Sequence, residues 1–272
     1  NVVMNKTGTG ANSSGGGNTF NGDVIINNSG QMALAVSAAD DFNGNATFRR
    51  LGAGTFIVNN SFNTSFSKDV STVGSVGLVQ FGAGAGRTIF DGTAPQTFSS
   101  DAAFPPQVRN LTLAMTGSGE LQLAGNVNVT VDMAFTSGVI RPMAATSTSN
   151  GLLILANGIT LSDPADATSY VDGFVRKIGN TAFTFPVGSA GVLAPISMSA
   201  PAVNTHHFTA RYLASSSHPT YAHSSKDITL DHLSQCEYWI LDRTNSTTNV
   251  SVTLSWDTPR SCGVTDLSQL AV

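Results

Sequence analysis

Phe20-Asn21-Gly22-Asp23-Val24 is followed by Phe42-Asn43-Gly44-Asn45-Ala46 and then, more loosely, by Phe66-Ser67-Lys68-Asp69-Val70. The spacings are 22 and 24 residues, and each copy is followed by a further glycine, at Gly30, Gly52 and Gly74. Ile89-Phe90-Asp91-Gly92 and Thr97-Phe98-Ser99 are fainter echoes. A period in the low twenties fits one coil of a β-solenoid built from about three short strands. In that reading Phe20, Phe42 and Phe66 stack inward, coil upon coil. Asn21 and Asn43 ladder by hydrogen bonding their neighbours' backbone at a corner where the glycine permits positive φ. A meander of hairpins sharing one turn motif is the alternative.

Outward from these repeats the whole chain reads as β. Period-two alternation places apolar residues on one strand face at Leu111, Leu113 and Met115, and at Val127, Val129, Val131 and Met133. It returns at Phe208, Ala210 and Tyr212, and at Val250, Val252, Leu254 and Trp256. Turn pairs such as Asn150-Gly151, Asn157-Gly158 and Asp172-Gly173 separate these runs. The best helical candidate is a turn or two between Asp227 and Gln235. After about residue 165 the Phe-Asn-Gly motif disappears, and all five His, both Cys, both Trp and all four Tyr lie beyond it. The expected organisation is therefore all-β: a solenoid over 1–165 and an antiparallel, Ig-like β-sandwich over 166–272.

Composition narrows the function. Charged residues are 11% of the 272, and 13 Lys and Arg against 17 Asp and Glu give a net charge of −4. That is too little positive charge for a nucleic-acid partner. No apolar run is long enough for a transmembrane helix. The chain starts at Asn1 without a recognisable signal peptide and is read as a mature chain or a piece of a longer one. Cys236 and Cys262 suffice for one disulfide; two free buried thiols are the alternative.

Several stretches carry a resemblance. Asn5-Lys6-Thr7-Gly8, Gly16-Gly17-Asn18-Thr19-Phe20-Asn21-Gly22 and Asp41-Phe42-Asn43-Gly44 resemble repeats of very large surface proteins of Bacteroidota. So do Val171-Asp172-Gly173-Phe174-Val175-Arg176-Lys177-Ile178-Gly179-Asn180 and Phe183-Thr184-Phe185-Pro186-Val187-Gly188. Glu237-Tyr238-Trp239 followed by Val250–Asp257 is similar to a further element of them. Such proteins are typically secreted by the type IX route and displayed as adhesins or filaments. The resemblance implies export and a structural role, and carries over no catalytic residue. The C-terminal sorting domain usual in that group is not visible in this sequence.

Chemical sites are few. Asp40-Asp41 and Asp163 with Asp166 are candidate paired carboxylates for a polysaccharide-cleaving solenoid, but each sits beside turn formers. His206, His207, His218, His223 and His232 read as ordinary surface or loop residues, since neighbouring His206 and His207 point to opposite strand faces. Gly82–Arg87 imitates a phosphate loop yet precedes a strand. The calcium-binding nonapeptide signature of RTX proteins is absent, and no cofactor is expected. Sequons such as Asn5, Asn27, Asn45, Asn110, Asn245 and Asn249 arise readily by chance in an Asn- and Ser-rich chain.

The expectation is a non-enzymatic extracellular structural or adhesive protein, a surface stalk or filament subunit. The rival is a carbohydrate-binding module or a fragment of a polysaccharide-degrading β-helix enzyme. It would present Tyr212, Tyr221, Tyr238, Trp239 or Trp256 to surface glycans, although Trp256 alternates with core-type residues. The first strand, Asn1-Val2-Val3-Met4-Asn5, lacks the Lys, Pro or bulge that blunts an edge. It is expected to be covered by a preceding repeat or by a neighbouring subunit adding head-to-tail, with a folded-back loop as the alternative.

Overall fold

The computed structural model describes residues 1–257, 260–262, 266 and 268. Its strands coil around three faces. The first face stacks Val2–Lys6, Val24–Asn28, Ala46–Arg50, Val70–Gly74, Gln96–Ser100, Glu120–Leu123, the end of Val127–Pro142 and Ser169–Val171. The second stacks Ala11–Ser13, Gln31–Ala33, Phe56–Ile57, Gln80–Phe81, the start of Gln107–Ala114, the start of Val127–Pro142, Leu153–Leu155 and Val175–Ile178. The third stacks Thr19–Phe20, Asp40–Phe42, Thr64–Phe66, Thr88–Phe90, the end of Gln107–Ala114, the middle of Val127–Pro142 and Thr160–Asp163. Every pairing among these strands is parallel. This is the β-solenoid, and the hairpin meander is excluded.

The strand Val127–Pro142 contributes to all three faces in a single pass. Gly138 makes its last bend at φ +93°, a conformation that a side chain disfavours.

The interior follows the period-two rule. Phe20 and Phe42 stack with ring centroids 4.7 Å apart, and Phe42 and Phe66 with centroids 5.1 Å apart. Phe90 extends the column at 5.7 Å. Phe42, Phe66 and Phe90 are buried, whereas Phe20, in the first coil, is only half-buried because a neighbour packs on one side alone. Phe98, the other faint echo, instead joins the first face opposite Val70. Phe48 and Phe81 meet the column edge-on.

At the corner the asparagines join side chain to side chain, not side chain to neighbouring backbone: Asn43 Nδ2 donates to Asn21 Oδ1 at 3.2 Å. On the first face Asn27 Nδ2 donates likewise to Asn5 Oδ1 at 2.7 Å. The corner glycines do not supply positive φ, contrary to the expectation from the sequence. Gly22 and Gly44 are absent from the positive-φ positions. A Cβ on Gly44 would instead overlap the Gly22 carbonyl of the coil beneath. Close stacking, not a left-handed bend, requires the glycine.

Parallel pairing continues past residue 165, through Ser169–Val171 and Val175–Ile178. There the direction reverses. His207–Leu213 adds antiparallel to Val175–Ile178, and Tyr238–Asn245 adds antiparallel to His207–Leu213. A second antiparallel sheet holds Phe183–Phe185, Ile196–Met198 and Val252–Leu254. Phe185, Ile196, Phe208 and Tyr212 belong to the same hydrophobic cluster as the solenoid Phe column, so one core runs through both parts.

The segment Asp227–Gln235 is not helical; one 3-10 turn lies upstream at His223–Ser225. Asp227 accepts the Thr229 N–H and hydroxyl, a local turn that competes with helix formation.

Candidate functional site

The polar side chains inside and between the coils are engaged mainly with one another. Asp132 accepts from Arg87 at 2.7 Å, from the Ser162 hydroxyl at 2.6 Å and from the Thr160 hydroxyl at 2.5 Å. Burial works to raise the Asp132 pKa, but these donors outweigh it and hold the carboxyl below its ordinary value. Arg87 also reaches the Thr112 hydroxyl and the Leu111 carbonyl, so one network staples successive coils of the third face. On the first face Arg141 bridges Glu120 and Asp172, each at 3.0 Å.

The candidate carboxylates Asp40, Asp41 and Asp166 are each engaged by neighbouring donors. Asp40 is buried and accepts the backbone and side-chain N–H groups of Asn18, at 3.0 and 2.8 Å. Asp41 accepts from Ser65 and Asn43. Asp166 closes a turn on Thr168 and Ser169. Successive residues of a strand face opposite sides, which separates Asp40 from Asp41. Among the described residues no group of three or more His, Cys, Asp or Glu could hold a metal ion. His218 and His223 lie with ring centroids 5.5 Å apart, and His206 contacts Ser246 and Thr248 on another loop.

The aromatic residues do not form one platform. Tyr212 is buried, and Trp239 is partly buried with its indole N–H donating to the Ala194 carbonyl at 2.8 Å. Trp256, placed in the core by its alternation, is 44% exposed, and Tyr221 is 51% exposed. The strand stops at Leu254, so the alternation from Val250 to Trp256 is not carried by one strand. A shallow depression of about 530 Å³ beside Met115, Gly119, Ser137 and Arg141 contains Glu120, whose carboxylate Arg141 already engages.

Two buried charged sites were not anticipated from the sequence. Lys177 points inward from Val175–Ile178 and is 1% exposed. Its ammonium donates to the Ile178 carbonyl and lies 5.5 Å from the centre of the Phe183 ring. Burial pushes its pKa down to about 8. Below that value the folded chain must bury a positive charge, so stability should rise as pH climbs from about 8 toward the ordinary lysine value of 10.5. Lys177→Met should therefore stabilise the protein at pH 7 by roughly 3 kcal/mol and abolish this rise. Urea midpoints at pH 7 and pH 10 check both effects. The signal in the sequence was the alternation Val175-Arg176-Lys177-Ile178, which puts Lys177 on the same face as Val175.

The second site surrounds Glu237. Its carboxylate, 4% exposed, accepts the Tyr212 hydroxyl at 3.0 Å and the Ser261 hydroxyl, and pairs with Arg260 at 3.1 Å. Burial, followed by the bond to Glu237, pushes the Tyr212 pKa up to about 12. The Arg260 guanidinium also lies 5.7 Å from the Tyr212 ring centre and 5.5 Å from that of Trp239. Cys236 and Cys262, the neighbours of Glu237 and Ser261, are joined in a disulfide with Cα atoms 5.8 Å apart.

The first strand, Val2–Lys6, pairs with Val24–Asn28 on one side. Val2 is 44% and Val3 59% exposed, although Val24, next in the Val2 column, is buried. At the opposite end Tyr238–Asn245 is paired only with His207–Leu213 among the described strands. Among the described residues no helix is long and apolar enough to cross a membrane. No family model matches the chain, and neither the curated proteins nor the solved structures yield a match.

Proposed function

We propose that the protein is an extracellular structural or adhesive element, a stalk or filament subunit with no catalytic role. The observation that carries this reading is the use of polar groups. Asp40, Asp132, Arg87 and the Asn21–Asn43 ladder connect coil to coil instead of converging on a ligand. The result is a laterally laddered rod. The disulfide supports an oxidising, exported location. The outward edge of Val2–Lys6 accepts a further coil, and a neighbouring copy adding head-to-tail gives a filament because that contact need not close.

Immunogold labelling of the native cells tests the reading. Label should decorate the outer surface or filaments extending from it. Label confined to the cytoplasm would remove the proposal. The glycan-binding rival is favoured by exposed Trp256 and Tyr221 and is distinguished by a glycan array, on which the structural reading expects no saturable binding.

A further inference from the structure

The surroundings of the disulfide suggest more than a staple. Arg260, Ser261 and Cys262 form a short turn closed on Asp257, whose carbonyl accepts the N–H groups of Arg260 at 3.0 Å and Ser261 at 2.8 Å. From that turn the Arg260 side chain packs over the rings of Tyr212 and Trp239 and beside the Glu237 carboxylate. The side chains of Arg260 and Glu237 are 8% and 4% exposed. Such a pair is poised between two large opposing terms. Coulombic attraction favours closure, while withdrawing both charges from water opposes it. Opening restores hydration to both groups, so the pair holds the turn only weakly by itself. A covalent link between the residues next to Glu237 and Ser261 makes the closing contact intramolecular at high effective concentration.

We propose that the Cys236–Cys262 disulfide is a redox-sensitive latch that keeps Arg260 seated on Glu237, and that its reduction releases the Arg260–Cys262 turn while the solenoid stays folded. A dithiol is the reductant: the S–S bond breaks, each cysteine takes up one hydrogen, and the dithiol closes to its own cyclic disulfide. The solenoid is spared because its ladders and Phe column do not involve the turn.

Trypsin provides the test, since the Arg260–Ser261 bond is a tryptic site guarded by burial of Arg260. The full chain is treated with trypsin with and without prior dithiothreitol, and cleavage at that bond is followed by mass spectrometry after quenching and full reduction. Cleavage should be at least about tenfold faster in the reduced protein. The double variant Cys236→Ser/Cys262→Ser should match the reduced rate without any reductant, and far-UV circular dichroism should be unchanged. Equal rates in oxidised and reduced protein, or a double variant as resistant as the oxidised chain, would overturn the latch. Loss of the β signal on reduction would also overturn it, because the disulfide would then hold the whole fold. None of these outcomes depends on where the protein resides or what it binds.

Discussion

Phe66→Ala is expected to lower stability by about 3–5 kcal/mol, measured as a shift of the urea midpoint followed by far-UV circular dichroism. Phe66 is fully buried, stacks on Phe42, tilts against Phe90 and meets Phe48 and Phe81 edge-on. Truncation removes the buried ring and leaves a cavity, and the coils above and below are held in register by backbone ladders that resist collapse. The same change at Phe20 should cost much less, because Phe20 is half-buried and stacks on Phe42 from one side. Equal losses at the two positions would contradict the column as the organiser of the core.

Arg260→Ala is expected to cost about 3–5 kcal/mol, because it strands the Glu237 carboxylate in a pocket where it is 4% exposed. Tyr212 and Ser261 still donate to it but carry no charge. The double variant Arg260→Ala/Glu237→Gln should fall short of the sum of the single losses by roughly 1–3 kcal/mol, since the stranded charge is gone. Urea titrations of the four proteins close the cycle. Strict additivity would mean that the two side chains are not coupled.

Legibility in the sequence followed the regularity of the coils. Phe20, Phe42 and Phe66 announced themselves because the first coils keep nearly constant lengths of 22 and 24 residues. By the Asp69–Thr97 contact the step has grown to 28 residues, and the later inward positions mix Leu113, Leu121 and Met133 with Phe98 and Phe135, so the Phe spacing is no longer regular. Alternation still marked these strands, but alternation does not say which of three faces a strand joins. Hence Phe98 resembled the Phe66 column and landed elsewhere. The same ambiguity hid the parallel strands Ser169–Val171 and Val175–Ile178, which lack the Phe-Asn-Gly signature.

The glycine after each Asn was correctly singled out, but its cause lay in the neighbouring coil, which a single repeat does not reveal. Trp256 misled because its alternation with Val252 and Leu254 outlasts the strand, which ends at Leu254. The disulfide was within reach of cysteine counting, whereas Arg260 beside Glu237 was not. They lie 23 positions apart in sequence (260 − 237), and no motif joins them.

Head-to-tail assembly would use the outward edge of Val2–Lys6, which pairs with Val24–Asn28 on its other side. The Val2 N–H donates to the Asp23 carbonyl at 2.8 Å, so alternation turns the N–H and C=O of Val3 away from the stack. Val3→Pro therefore removes an outward donor without breaking a bond inside the coil, and the side chain at that position is well exposed. Light scattering over a concentration series, on the full chain and on this variant, is the most direct measurement. The account predicts that the mass of the wild-type chain grows with concentration into filaments visible by electron microscopy, while Val3→Pro remains monomeric with an unchanged β signal. A wild-type chain that stays monomeric throughout, or a variant that assembles equally well, would contradict it.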